Sequence, residues 1–157
     1  MHPSFLKWHP SPSGGAVLVA DDHQDANEML AVLIELSGLR VLQARDGQQA
    51  VALAEEHLPA VALLDIAMPI LDGYEVARRI RAHPRLQHTL LAALTGQASE
   101  DHVRRSREAG MHFHLVKPVD PFHLSWVLGL PAGERPQHPS PVWEFAPPPG
   151  TSAGPLH

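Results

Sequence analysis

Five polar side chains stand where their chemistry could combine. Asp21 and Asp22 follow the apolar run AVLVA, Asp65 follows AVALL, Thr95 follows LLAAL, and Lys117 follows FHLV. Each run has the composition of a strand, and each polar residue marks its carboxyl end. Parallel strands laid side by side open those ends into one crevice, the place where open α/β sheets bind ligands. Three carboxylates, a hydroxyl and an ammonium meeting there suit a divalent cation and a phosphoryl group.

Taken one at a time these residues have plainer readings. An Asp after a strand usually caps the next helix, and a Thr is an ordinary β-branched strand residue. In combination they resist those readings. Adjacent acids at Asp21 and Asp22, with Asp25 close behind, repel one another unless a cation compensates them, and a hard ion such as Mg²⁺ is held by a few carboxylates, waters and phosphate oxygens. Asp65 can then act as a nucleophile toward phosphorus, forming an aspartyl-phosphate. Thr95, with Gly96 behind it, offers a donor to a phosphoryl oxygen. Lys117 is one of only two lysines, the other being Lys7, so the foldable region uses Arg everywhere except at this strand end. A compact ammonium suits a single oxygen better than a planar fork does. Pro118 forces a turn after it and is a candidate for a cis bond.

Positioning these residues requires a sheet. From Gly15 to about Gly129, short apolar runs alternate with amphipathic stretches, the pattern of βα units around a parallel sheet. Five strands are predicted: Ala16 to Asp21, Arg40 to Ala44, Ala60 to Asp65, Leu90 to Thr95, and Phe113 to Val116. The more polar second strand is placed at an edge. A first helix is predicted from Asp25 to Ser37, with Ala26, Met29, Leu30, Leu33 and Leu36 on its buried face and Gly38 ending it. A second, capped by Asp46, buries Ala50, Leu53 and Ala54; a third starts at Asp72 and turns Val76, Ala77 and Ile80 inward. A fourth, capped by Ser99, has few large apolar residues beyond Val103 and is expected to be the most loosely held. A fifth begins at Asp120 and uses Phe122, Leu124, Trp126 and Leu128.

The chain of 157 residues is 44% apolar, which fits one domain with an ordinary core. It has no cysteine, which excludes disulfides and thiolate metal sites. No stretch resembles a signal peptide or membrane span, so a cytoplasmic location with no membrane association is expected. A net charge of -5 without a basic block argues against nucleic-acid binding. Residues 1–14 and 131–157 are rich in proline, the latter segment including Pro147 to Pro149, and are read as disordered tails around a domain at 15–130. Phe5, Leu6 and Trp8 in one tail, and Val142, Trp143 and Phe145 in the other, are candidate docking anchors, with chance tail hydrophobics the plainer account.

DD after the first strand, LLDIAMPILDGYEVARRIR around the third, LTG after the fourth and LVKPVDP after the fifth resemble, in that order, the receiver domain of two-component response regulators. The resemblance covers about Ala16 to Leu128. It implies a flavodoxin-like (βα)5 fold, doubly wound, with a five-stranded parallel sheet in the order 2-1-3-4-5. It also implies Asp65 as phosphate acceptor and a Mg²⁺ site of Asp21, Asp22, Asp65 and the backbone carbonyl of Ala67. Lys117 pairs with Asp65 and then with its phosphate, while Thr95 moves toward the phosphoryl oxygen. The aromatic switch position of the last strand is here His114, a departure from the commonest Tyr or Phe, and the partner-facing surface is the fourth helix, last strand and fifth helix. Ala67 and Gln97 occupy the variable positions near the attacking water, and Ala67 has no side chain with which to orient it, so phosphate lifetime is expected to depend on Gln97 and access.

The leading reading is a stand-alone receiver that accepts a phosphoryl group from a sensor histidine kinase or a histidine phosphotransfer protein and switches binding to a downstream target protein. It is not an enzyme beyond its own phosphotransfer and autodephosphorylation. The alternatives are a non-phosphorylated adaptor on the same fold and an aspartyl-nucleophile phosphohydrolase. The last commonly wants a second acid two residues after the nucleophile, where this chain has Ala67. A P-loop enzyme is excluded by the absence of a GxxxxGK stretch. A transition-metal site at His112 and His114 is disfavoured because no third ligand is evident at suitable spacing.

Overall fold

The computed structural model describes residues 15–96, 99–129 and 142–144. Five parallel strands form the sheet: β1 (Ala16–Ala20), β2 (Arg40–Ala44), β3 (Val61–Asp65), β4 (Leu90–Thr95) and β5 (Phe113–Val116). Their order is β2-β1-β3-β4-β5, as the family resemblance implied. The register pairs Val17 with both Val41 and Val61, Asp65 with Leu94, and Thr95 with Val116. This keeps the carboxyl ends of the strands level with one another.

The helices are α1 (Gln24–Leu36), α2 (Gly47–His57), α3 (Gly73–Ala82), α4 (Glu100–Glu108) and α5 (Pro121–Val127). Strand residues alternate between two apolar layers, as they must when both faces are covered. Leu18, Ala20, Ala62, Leu64, Leu91 and Ala93 pack with Ala50 and Ala54 of α2 and with Val76, Ala77 and Ile80 of α3. Val17, Val19, Leu63, Leu94 and Leu115 pack with Leu30 and Ile34 of α1 and with Leu124 and Val127 of α5. Asp46, Asp72 and Ser99 cap α2, α3 and α4 by accepting from the N–H groups of Gln49, Glu75 and His102, as their positions suggested.

The buried face of α1 differs from the expected one. Asn27, Leu30, Ala31 and Ile34 are inside, whereas Met29 and Leu36 are 66% and 78% exposed. Asn27 sets this rotation, because its side chain reaches the ends of two strands. Its Nδ2 donates to the carbonyls of Asp21 (2.9 Å) and Ala44 (2.8 Å), and its Oδ1 accepts from Gln43 Nε2 (2.8 Å). An amide satisfied at three points can be buried at little cost. In α5, Phe122 is exposed where burial was expected, and His123 is buried beside Leu124 and Val127. The side chain of Trp126 lies outside the described residues.

A sixth strand, β6 (Val142–Glu144), runs antiparallel to β5 in a segment that was read as disordered, pairing Phe113 with Glu144, His114 with Trp143 and Leu115 with Val142. A sheet edge presents unpaired N–H and C=O groups, and a short apolar run between prolines can meet them. The expected tails at residues 1–14 and over the rest of 131–157 lie outside the described residues, as does Gln97. Ending the chain at Gly129 should speed amide exchange in β5 and leave β1 and β3 unchanged in hydrogen–deuterium exchange. Unaltered β5 protection would contradict the pairing.

Candidate functional site

The strand ends bring three of the five chemically suggestive residues into direct contact. Lys117 Nζ lies 2.8 Å from Asp21 Oδ2 and 3.1 Å from Asp65 Oδ2. Asp22 stands at the rim, and Thr95 is buried at the end of β4, the strand between those of Asp65 and Lys117. The backbone holds these ends tightly. The N–H of Lys117 donates to the carbonyl of Thr95 (2.7 Å), that of Ile66 to Leu94 (3.0 Å), and that of Asp21 to Ala44 (3.1 Å). The Lys117–Pro118 peptide is cis.

The carboxylates are oriented by the chain itself. Asp65 Oδ1 accepts from the N–H of Ala67 at 3.1 Å, and Asp21 Oδ1 from that of His23 at 2.9 Å. Gly73, at the start of α3, lets the helix approach the strand end, because a Cβ there would stand 2.6 Å from the carbonyl oxygen of Asp65. Any larger residue would push α3 away from the site.

Side-chain exposure is 0% for Asp21, 4% for Asp65 and 23% for Lys117. Burial is the largest influence on Asp65 and, aided by the neighbouring Asp21, pushes its carboxyl up to about 6 against the opposing pull of Lys117 and the Ala67 N–H. Burial also acts to raise Asp21, but Lys117 and the His23 N–H outweigh it and hold this carboxyl below the usual range. Lys117 is raised: burial works against its charge, and the two carboxylates more than offset that. Asp21 Oδ2 accepts no well-aligned hydrogen bond, so its 2.8 Å contact with Lys117 is ionic and leaves a buried oxygen under-satisfied. One ammonium against three acids leaves a site with negative charge in excess. The hard oxygen donors of Asp21, Asp22 and Asp65 therefore fit a divalent cation.

Two residues of the site escaped the sequence reading. His23 turns its Nδ1 toward the acids, and one atom each from Asp21, Asp22, His23 and Asp65 lie within 4.8 Å of one another. Its position directly after the acid pair was the available signal. Asn27, which holds the carbonyl of Asp21, adds nothing to the apolar periodicity from which the first helix was read. His114 is fully buried, with Nδ1 2.8 Å from Ser106 Oγ in α4.

Residues 17–128 match the response regulator receiver domain family. The chain belongs to that family. The virulence sensor protein BvgS of Bordetella pertussis is 37% identical over 149 residues, covering 87% of this chain and 12% of the relative. The polar-differentiation response regulator DivK of Brucella anthropi is 31% identical over 104 residues, covering 66% of this chain and 85% of DivK. The receiver domain of a Pseudomonas aeruginosa sensor histidine kinase, solved with a magnesium ion coordinated in its active-site cleft, superposes with a TM-score of 0.68 at 31% identity, covering 73% of this chain and 94% of that one. Receivers are signalling domains that interact with sensor kinases and downstream targets. Among the described residues of this receiver, no helix is long and apolar enough to cross a membrane.

Two measurements probe how the site is built into the receiver. The folded-state pKa of Asp65 is raised from 3.8 to about 6, so its contribution favours folding fully below about pH 3.8 and is lost as pH rises through 6. With a chelator present, Asp65→Asn should be more stable than wild type by about 1–3 kcal/mol at pH 7 and flatter in urea midpoint between pH 4 and 7. Equal slopes would refute the burial argument. Ile70, five residues beyond Asp65, is exposed and holds φ at 73°, a conformation that a β-branched residue adopts only under strain. Ile70→Asn should raise unfolding free energy by about 1 kcal/mol, and a loss on urea denaturation would contradict this.

Proposed function

We propose that this receiver accepts a phosphoryl group from a phosphohistidine onto Asp65 in a reaction that needs a divalent cation, normally Mg²⁺, and that phosphorylation changes its binding to a downstream protein. The observation that carries the reading is the contact of Asp21 and Asp65 with a single ammonium at the mouth of a parallel sheet. Asp21, Asp22, Asp65 and the carbonyl of Ala67 would hold the cation. When bound, it neutralises charge on the phosphoryl oxygens so that an anionic nucleophile can approach.

The chain's own groups do the rest. An ionised Asp65 oxygen attacks phosphorus, forming a P–O bond as the P–N bond of the donor breaks; the leaving imidazole keeps the electron pair and takes a proton from solvent. Lys117, 3.1 Å from Asp65 Oδ2, neutralises the added charge as the product forms. The Thr95 hydroxyl, at the end of β4, would donate to a phosphoryl oxygen, and His114 on β5 would act as the switch residue.

The donor would be a sensor histidine kinase or a histidine phosphotransfer protein. A cleft of 320 Å³ between α1 and the turn after β5, lined by Met29, Leu33, Pro118 and Val119, reaches Asp21 and Lys117. Exposed Met29, Val32 and Leu36 extend its apolar surface along α1. Such a patch beside a charged pocket suits a protein that presents a ring at the nucleophile. A phosphohydrolase is less well supported, since Ala67 supplies no acid for a leaving group.

Incubation with Mg²⁺ and a small phosphodonor should add one phosphate to wild type and none to Asp65→Asn, read as intact mass. No gain on wild type would favour an adaptor that is never phosphorylated. Turnover of many phosphoesters per chain would favour an enzyme.

A further inference from the structure

We propose that His23 is a nitrogen ligand of the cation site, so that this receiver favours a first-row transition ion of the Mn²⁺ to Zn²⁺ class over Mg²⁺. The inference rests on the cation-dependent reading of the acid pocket. His23 Nδ1 lies 3.4 Å from Asp21 Oδ1, 3.4 Å from Asp22 Oδ1 and 3.9 Å from Asp65 Oδ2. Ligand atoms about 2.1 Å from a six-coordinate ion stand about 3 Å apart when adjacent and about 4 Å apart when opposite. The three separations lie between those two values and the four donors spread over up to 4.8 Å, so a small inward turn of the exposed His23 ring would bring them onto one ion. The imidazole converts an all-oxygen donor set into a mixed one, and imidazole suits the later first-row ions whereas carboxylate, carbonyl and water suit Mg²⁺.

The side chain is separable from the local fold. His23 flanks the N-terminus of α1 yet makes no side-chain capping bond. Its backbone N–H, rather than its ring, holds Asp21 Oδ1 at 2.9 Å. The ring is 71% exposed, so removing it opens no cavity and leaves the acids in place. A rival account fits the same distances: a protonated His23 could serve as counter-ion in the place of the metal. The two accounts predict opposite signs. A ligand, when removed, weakens binding of transition ions; a competing cation, when removed, strengthens binding of every ion.

Calorimetric titration of Mn²⁺ and Mg²⁺ into the full chain, its His23→Ala variant and its Asp21→Asn variant decides between them, alongside pulsed electron paramagnetic resonance of the Mn²⁺ complexes. Wild type should bind Mn²⁺ more tightly than Mg²⁺ and show modulation from a directly coordinated imidazole ¹⁴N. His23→Ala should lose that modulation and bind Mn²⁺ about tenfold more weakly, with Mg²⁺ affinity changed far less. Mn²⁺ binding that is lost in Asp21→Asn but shows no nitrogen coupling in wild type would overturn the role of His23 and keep the acid site. Tighter binding of both ions by His23→Ala would overturn it in favour of the counter-ion account. Failure of wild type to bind either ion would overturn both the acid site and this extension of it.

Discussion

Asp21 and Asp65 have lost nearly all contact with water, and they are neighbours because β1 and β3 are neighbours. Removing one ionised carboxylate from water costs several kcal/mol, and placing a second beside it adds repulsion. The fold tolerates the pair because Lys117 arrives from β5, two strands beyond β3, and touches both. A single ammonium cannot satisfy two buried acids with a third at the rim. The opposite shifts of Asp21 and Asp65 express that shortfall, one acid held ionised and the other drawn toward its neutral form. The pocket is thus arranged to gain when further positive charge enters it, which is the physical basis of the cation-dependent reaction proposed at Asp65.

Precision at this place comes from backbone contacts more than from side-chain packing. Ladder bonds run up to the last residue of each strand, so the polar ends inherit the rigidity of the sheet. The N–H groups of His23 and Ala67 orient one oxygen each of Asp21 and Asp65, leaving the other oxygen to Lys117. Asn27 joins the ends of β1 and β2, and Gly73 admits the start of α3 against Asp65. These contacts keep like charges close together in the folded chain, where solvent would otherwise separate them.

The strands and their charged ends were legible because a strand buried on both faces is continuously apolar, so a carboxylate at its end stands out against AVLVA or AVALL. Helix caps at Asp46, Asp72 and Ser99 were legible for a similar local reason. What escaped depends on tertiary context. Apolar periodicity placed Met29 and Leu36 inside, whereas the buried face of α1 is chosen by Asn27, whose value lies in carbonyls seventeen and six residues away in sequence. His23 was passed over although it directly follows the acid pair, because the direction of its ring, toward Asp65 across the crevice, is set only by the folded chain. The pairing of β6 with β5 joins segments separated by the whole of α5, and the prolines around Val142–Glu144 made that segment read as unstructured. Aspects that rest on one residue's partner, rather than on a repeating pattern, were the ones lost.

The hold on α4 shows how the same chain can be firm at the site and lighter at its flank. Ser106 is the one buried residue assigned to this helix. Its hydroxyl meets the ring of His114 on β5, Tyr74 donates to the carbonyl of His102 at 3.4 Å, and the Arg105 guanidinium stacks 4.3 Å from the Tyr74 ring centroid. A typical intramolecular hydrogen bond contributes about 1 kcal/mol net, while each fully buried Leu or Ile contributes about 1.5–3 kcal/mol. Two such residues, Leu30 and Ile34, anchor α1, and α4 has none. Its attachment therefore depends on a few directional contacts, the principal one made by a residue three positions before Lys117 on a strand of four. Rearranging those contacts costs less than withdrawing apolar side chains from the core, which leaves α4 the helix whose position is most responsive to changes along β5.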